Sequence, residues 1–164
     1  MVSISGAFST PLGEPATTVG PLGGCELAGE WEMITRKATS VSLVFGQWYI
    51  YHPHTRDEED MNNMQIFYSG LGYGINVVLG TAVPFTVGCT LLGGAAIGII
   101  NNDVYTEPVV LINPGIAVQA RITYGLSDLL VLAVKAQYLT VVDSAGFADW
   151  YKEMSVSAGI GMRF

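Results

Sequence analysis

The chain has 164 residues, of which 50% are hydrophobic and only 13% are charged, and its formal charge is −7. This length allows one domain, residues 1–164, with a closed sheet. The negative charge argues against nucleic acid as a partner, because few cations are available to neutralise a phosphate backbone. The longest apolar stretch, residues 70–100, contains too many Gly, Pro, Thr and Asn residues for a membrane helix.

Apolar residues alternate with small or polar residues from the start of the chain, which predicts strands with two unlike faces. The first strand covers residues 2–9, and a connection rich in Pro and Gly follows at 10–23. The second strand, at 25–33, carries three glutamates on its polar face: Glu26, Glu30 and Glu32. Three acids on one face require either water or buried partners on that side.

The third strand, at 41–51, keeps this alternation only as far as Gly46. Beyond that residue, both faces carry rings or large apolar side chains, including Trp48 and Tyr49. We therefore expect either a β-bulge at Gly46 or an aromatic belt at a membrane interface. A polar connection at 52–63 follows.

Four more strands are predicted, each with one apolar face and one face made of glycine or polar residues. They cover residues 67–77, 83–99, 110–124 and 130–138. The connections between them alternate in length, and the segment Gly125–Asp128 is a tight turn. A last long connection, at 143–152, precedes the terminal strand.

The terminal strand, Met154–Phe164, has one continuous apolar face: Val156, Ala158, Ile160, Met162 and Phe164. This strand resembles the final strand of bacterial outer-membrane β-barrels, and the turn Gly125–Asp128 resembles their periplasmic turns. At the level of pattern, the whole chain is similar to the small barrels of the OmpA, OmpX and OmpW type. The resemblance implies an antiparallel up-and-down transmembrane barrel of about eight strands, with the barrel-assembly machinery reading the terminal face as an assembly signal.

The distribution of polarity agrees with lipid outside the barrel. The apolar faces carry almost no charge, and the long connections fall at the end opposite the short turns. We expect a bacterial outer-membrane location, with outer-membrane lipids as partners and a signal peptide already removed. Aromatic residues cluster towards both ends of the strands, which predicts two interfacial girdles, with a hydrophobic core as the other interpretation of these rings. The predicted girdle residues are Phe85, Tyr124 and Phe164 at one end and Trp48, Tyr49, Tyr51, Phe67, Trp150 and Tyr151 at the other.

Four charged residues are predicted to point into the lumen at similar depth, with two inward glutamines as their hydrogen-bonding neighbours. The charged residues are Glu30, Glu32, Arg121 and Lys135, and the glutamines are Gln119 and Gln137. Charges in such a narrow lumen require partners, so we expect a hydrogen-bonded cluster. The cluster serves either as a structural network or as a gate that opens when the charged residues exchange partners. The many inward glycines leave either a narrow water path or a small-ligand cavity, or they only relieve crowding where strands coil tightly.

The sequence favours a structural or surface-interaction barrel with a plugged or very narrow lumen. A passive pore for small or amphipathic solutes is the alternative. His52 and His54 lie near several acids, the residue types of a lipid-modifying enzyme, but their polar connection favours ordinary surface residues. We expect no enzymatic activity, cofactor, metal site or disulfide between Cys25 and Cys89. The long connections are a candidate binding site for an extracellular ligand, and their acidic residues disfavour an anionic ligand.

Overall fold

The computed structural model describes residues 1–12, 24–34, 39–52, 63–79, 85–101, 108–142 and 149–163. The strands in these ranges are β1 (Val2–Pro11), β2 (Gly24–Ile34), β3 (Thr39–His52), β4 (Asn63–Leu79), β5 (Phe85–Asn101), β6 (Val109–Gly125), β7 (Leu130–Val142) and β8 (Asp149–Met162). No helix in the described ranges is long and apolar enough to cross a membrane.

Each strand pairs antiparallel with its neighbours in the chain, and β1 pairs with β8 to close the barrel. The predicted architecture of about eight antiparallel strands is confirmed. A row of paired residues followed once round the barrel starts at Gly24 on β2 and returns to the same strand at Ile34. This stagger of ten residues requires the strands to tilt by about 35–45° from the barrel axis.

The predicted β-bulge at Gly46 is wrong. Partners run without interruption through Gly46 on both sides of β3, to β2 and to β4. The alternation of faces therefore continues, and Trp48 points into the lumen, where it is buried. The sequence pattern changes at Gly46 because the lumen-facing residues become large, while the backbone geometry stays regular.

The outer face of the described strands is largely apolar. Large hydrophobic side chains project outward and are exposed, among them Ile4, Leu71, Leu91, Ile112 and Val156. Of the predicted girdle residues, Phe67 and Tyr124 face outward as expected. Trp48 and Tyr151 are instead buried in the lumen, so the core interpretation is correct for these two rings. The side chains of Trp150 and Phe164 lie outside the described residues.

The predicted tight turn joins β6 to β7. The backbone N–H groups of Leu126 and Ser127 donate hydrogen bonds to the carbonyl oxygen of Leu130, at 2.9 and 3.2 Å. The Ser127 hydroxyl oxygen accepts hydrogen bonds from the N–H groups of Leu129 and Leu130, at 3.3 and 3.0 Å. The Ser127 side chain thus accepts backbone hydrogen bonds that strand pairing does not provide where the chain reverses.

Candidate functional site

The lumen is filled by two unlike sets of side chains. We call the part nearer the short connections the turn-side half and the part nearer the long connections the loop-side half. Most inward residues of the turn-side half are polar and buried: Ser3, Ser5, Glu30, Ser42, Asn76, Thr90, Gln119, Arg121, Thr123, Lys135, Gln137, Ser155 and Ser157. Most inward residues of the loop-side half are apolar and form one buried cluster, which includes Trp48, Ile50, Met64, Ile66, Tyr68, Leu92, Leu139, Val141 and Tyr151.

A buried ion pair lies at the centre of the turn-side half. Lys135 Nζ is 2.5 Å from Glu30 Oε2, and the two residues are only 3% and 4% exposed. The Lys135 ammonium also donates to the hydroxyl oxygen of Ser3, at 3.4 Å. These residues come from β7, β2 and β1, so closure of β1 onto β8 brings the pair together. Each charge offsets the cost of burying the other.

Two glutamine side chains extend this pair across the barrel. Gln119 and Gln137 are direct cross-strand partners on β6 and β7. Gln119 Nε2 donates to Gln137 Oε1 at 2.7 Å and to Glu30 Oε1 at 2.9 Å. The Glu30 carboxylate therefore accepts bonds at both oxygens, from Gln119 and from Lys135. This arrangement holds the carboxylate across the lumen between β2 and the wall formed by β6 and β7.

Arg121 makes a second connection across the turn-side half. Its guanidinium Nη2 donates to Asn76 Oδ1 on β4, at 2.7 Å. Asn76 Nδ2 in turn donates to Ser42 Oγ at 3.1 Å, and the Ser42 hydroxyl donates to the Gly74 carbonyl at 3.3 Å. Gly88 on the intervening strand makes room, because a Cβ there would overlap Asn76 Oδ1. The chain of bonds thus spans β3, β4 and β6.

Five of the six predicted lumen residues are therefore inward and buried: Glu30, Gln119, Arg121, Lys135 and Gln137. Direct contacts connect Glu30 with Lys135 and Gln119, and Gln119 with Gln137. The Glu32 side chain lies outside the described residues, so its place in the cluster stays a prediction. Sequence reasoning missed the roles of Asn76, Ser42 and Ser3. The alternation of the sequence places these three side chains in the lumen, but it does not show which residues they contact.

Two aromatic rings are buried inside the lumen in the loop-side half. The ring centroids of Trp48 and Tyr68 are 5.3 Å apart, with an interplanar angle of 39°. The Tyr68 hydroxyl lies 3.4 Å from two backbone carbonyl oxygens that can accept its hydrogen bond, those of Leu92 and Gly115. The rings come from adjacent strands and are direct cross-strand partners. We call Trp48 and Tyr68 the ring pair.

A row of glycines makes space for the ring pair at three of its four positions. Gly46, Gly70, Gly94 and Gly115 are consecutive partners in one row across β3, β4, β5 and β6, and we call them the glycine row. A Cβ at Gly46 would overlap the Trp48 ring. A Cβ at Gly70 would lie 2.8 Å from the Tyr68 hydroxyl oxygen, and one at Gly115 would lie 2.9 Å from a ring carbon of Tyr68. At these three positions, aromatic rings occupy the space that glycine leaves.

A second buried polar contact lies near the long connections. The Tyr151 hydroxyl donates to Glu153 Oε2, and both residues are 1% exposed. The sequence-based boundary placed this segment in a loop, whereas β8 begins at Asp149. Extending the alternation of β8 backwards from Ser155 would have placed both side chains in the lumen.

The predicted assembly signal lies on the outer face of β8. Val156, Ala158, Ile160 and Met162 all point outward and are exposed, whereas Phe164 lies outside the described residues. Their recognition by an assembly machinery stays a prediction.

No group of His, Cys, Asp and Glu in the described ranges could hold a metal ion. Cys89 is a free thiol on the outer face. The side chains of Cys25, His52 and His54 lie outside the described residues, so predictions about them stay predictions.

Comparison with known proteins shows similarity in structure alone. No protein-family model matches the chain, and no curated protein matches its sequence. Among solved structures, Neisserial surface protein A superposes with a TM-score of 0.68 at 12% identity, covering 99% of this chain and 96% of that one. The attachment invasion locus protein Ail of Yersinia pestis, crystallised with the heparin analogue sucrose octasulfate, gives a TM-score of 0.60 at 14% identity with the same coverage. The chain therefore has the fold of the small eight-stranded outer-membrane β-barrels.

Proposed function

We propose that this chain is an integral outer-membrane barrel whose lumen is closed and whose long connections serve a structural or surface-interaction role. The observation that carries the proposal is the filling of the lumen at two levels. The ring pair occupies the loop-side half, and the Glu30–Lys135 pair with Gln119 spans the turn-side half. Eight strands enclose a lumen just wide enough for side chains to fill.

Membrane insertion is supported by the apolar outer face and by the polar network inside. Burying charged residues in the lumen while exposing large apolar residues on the outside is the arrangement that suits a lipid solvent. Refolding in detergent tests this point. We expect a compact, heat-modifiable band on a gel, whereas a protein that stays soluble in plain buffer and shows no such band would contradict membrane insertion.

Bilayer conductance tests the closed lumen against the alternative of a passive pore. We expect no resolvable current from the wild type, because both halves of the lumen are filled. We also expect none from Glu30→Ala, since the ring pair still closes the loop-side half. Current in the wild type would support the pore. Current only in Glu30→Ala would mean that the polar network is the one barrier and that the rings do not seal the lumen.

The acids of the long connections suggest which surface ligands fit. Two of these connections alone, at 52–63 and 101–108, contain six acidic residues: Asp57, Glu58, Glu59, Asp60, Asp103 and Glu107. Such a surface repels polyanions at low salt. We therefore expect no binding of sucrose octasulfate, unlike the Ail complex, in an equilibrium dialysis experiment at low ionic strength. Tight binding would contradict this charge argument.

An enzymatic role is the less favoured candidate. Expression of the protein in an outer membrane is expected to leave the mass spectrum of lipid A unchanged, with His52→Ala as the matched comparison. A modified lipid A species that depends on His52 would overturn the non-enzymatic proposal.

A further inference from the structure

We propose that Gln47 and Ser69, on the outer wall of β3 and β4, form the contact through which two copies of this chain associate side by side in the membrane. This inference rests on the proposed membrane insertion. The two residues are direct cross-strand partners, and both side chains point outward and are exposed. We call them the outer polar pair.

The outer polar pair lies between apolar side chains on both sides along the strands. Towards the long connections, the next outward partners are Tyr49 and Phe67, whose ring centroids are 4.9 Å apart. The Tyr49 hydroxyl donates to Gln65 Oε1 at 3.3 Å, on the side away from the outer polar pair. Towards the short turns, the next outward partners are Phe45 and Leu71, which are 41% and 54% exposed. An amide and a hydroxyl are therefore enclosed in the apolar band of the wall.

Polar side chains at this depth require a hydrogen-bond partner that lipid cannot supply. The outer polar pair lies two residues, about 6–7 Å along the strands, from the aromatic partners towards the middle of the membrane. Acyl chains offer neither donors nor acceptors, so an amide that faces them loses the hydrogen bonds that water gives it. No hydrogen bond joins either side chain to another side chain of the described ranges. A partner from outside this chain would supply the missing bonds.

The chemistry of glutamine favours a second copy of this chain as that partner. A carboxamide carries both an acceptor oxygen and a donor nitrogen, so two Gln47 side chains can exchange a pair of N–H···O bonds. Membrane insertion gives every copy the same orientation, and a two-fold axis along the membrane normal places residues of equal depth opposite each other. Gln47 of one copy thus meets Gln47 of the other, with the Ser69 hydroxyls beside them.

The outer polar pair distinguishes its side of the barrel from the opposite side. Ser69 pairs on its other edge with Ala95, which is exposed and carries only a methyl group. Small residues let membrane segments approach closely, and polar side chains between them add hydrogen bonds. On the opposite wall, β7 presents the apolar side chains of Leu132, Val134 and Ala136 outward. Association through β3 and β4 therefore gains hydrogen bonds that association through β7 does not.

Sedimentation equilibrium of the refolded full chain in density-matched detergent micelles can test this inference. We expect a reversible monomer–dimer equilibrium for the wild type. Gln47→Leu removes the amide and keeps a side chain of similar size. It is expected to raise the dissociation constant of the dimer by roughly tenfold, the effect of losing hydrogen bonds between membrane segments. Tyr124→Phe removes an outward hydroxyl on β6 instead, and we expect it to leave the dissociation constant unchanged.

Cysteine cross-linking in phosphatidylcholine vesicles identifies the face that associates. The background carries Cys25→Ser and Cys89→Ser, so that each added cysteine is the only one. Oxidation with copper phenanthroline is expected to link two copies of Ser69→Cys, which retains Gln47. Ala136→Cys, on the opposite wall, is the matched control and is expected to remain monomeric.

Three results would overturn the inference. One is a wild type that stays monomeric at every protein concentration. Another is a Gln47→Leu dimer as tight as that of the wild type, which would mean that the amide is not the contact. The third is equal cross-linking of Ser69→Cys and Ala136→Cys, which random collision produces. A heat-modifiable band from the wild type and each variant separates these results from failure of the membrane barrel itself, because that failure would remove the band.

Discussion

The two halves of the lumen are filled by different kinds of side-chain contact. In the loop-side half, the ring pair and the aliphatic side chains around it form one buried apolar cluster. In the turn-side half, Glu30, Lys135 and Gln119 fill the lumen with charges and amides that are bonded to one another. A packed apolar cluster tolerates small changes in side-chain volume, whereas a buried charged group requires its counter-charge or hydrogen-bond partner. The two halves should therefore respond differently to single substitutions.

The largest effect is expected in the turn-side half, from Lys135→Met. Methionine keeps most of the side-chain volume but removes the cation, which leaves the Glu30 carboxylate buried without it. We expect a loss of about 3–5 kcal/mol in the free energy of unfolding. Urea titration of the barrel in detergent, followed by tryptophan fluorescence, measures it.

Two comparisons separate the effect of breaking the buried ion pair from the effect of removing any positive charge. Lys152→Met removes a half-buried cation at the loop end of β8, and we expect it to cost no more than about 1 kcal/mol. The double variant Glu30→Gln with Lys135→Met removes both charges and should recover part of the lost stability. Equal losses for Lys135→Met and Lys152→Met would mean that the buried pair has no special importance.

An intermediate effect is expected in the loop-side half, from Gly46→Ala. The added methyl group would overlap the Trp48 ring, which must move within a packed cluster. We expect a destabilisation of about 1–3 kcal/mol, the usual range for overpacking a core, measured by the same urea titration.

Gly29→Ala is the matched control for this substitution. Gly29 also lies within a strand, but nothing lies within 4 Å of a Cβ placed there. We expect a change of no more than about 0.5 kcal/mol at this outward site. If Gly46→Ala were equally neutral, the Trp48 ring would have free space around it, and the loop-side half would not be closely packed.

The smallest effect is expected from Tyr68→Phe. The Tyr68 hydroxyl lies at 3.4 Å from both the Leu92 and Gly115 carbonyl oxygens, which is long for a strong hydrogen bond. Since the ring itself is retained, we expect a loss of about 0.5 kcal/mol, at the low end for a hydrogen bond. Unfolding of Tyr68→Phe beside Tyr124→Phe, an outward tyrosine, measures the difference. A loss as large as that of Lys135→Met would remove the proposed contrast between the halves.

Much of the barrel was predictable because strand geometry translates directly into sequence parity. The inward direction of Glu30, Arg121 and Lys135 follows from alternation alone, and so does the outward direction of Ile160 and Met162. The number of strands follows from the alternation of long and short connections. These inferences need only local information, since each strand exposes one face to lipid and the other to the lumen.

The faces that large aromatic rings occupy were predicted less well, for a physical reason. A tryptophan or tyrosine suits both a membrane interface and a packed lumen, so its identity does not reveal which face it occupies. Trp48 and Tyr151 were predicted at the interface and are buried instead. The glycine row leaves space for the Trp48 and Tyr68 rings at three of its four positions, but its members are scattered along the sequence and become neighbours only through pairing.

By itself, the sequence determined the eight-stranded sheet, its largely apolar exterior and most of the polar side chains that enter the lumen. Only the tertiary structure decided the partners within that set. Arg121 reaches Asn76 across 45 positions of the chain, and Lys135 reaches Glu30 across 105. Such contacts depend on the stagger and closure of the barrel, and no local pattern encodes them. The division of the lumen into a packed half and a hydrogen-bonded half is therefore a property of the closed barrel.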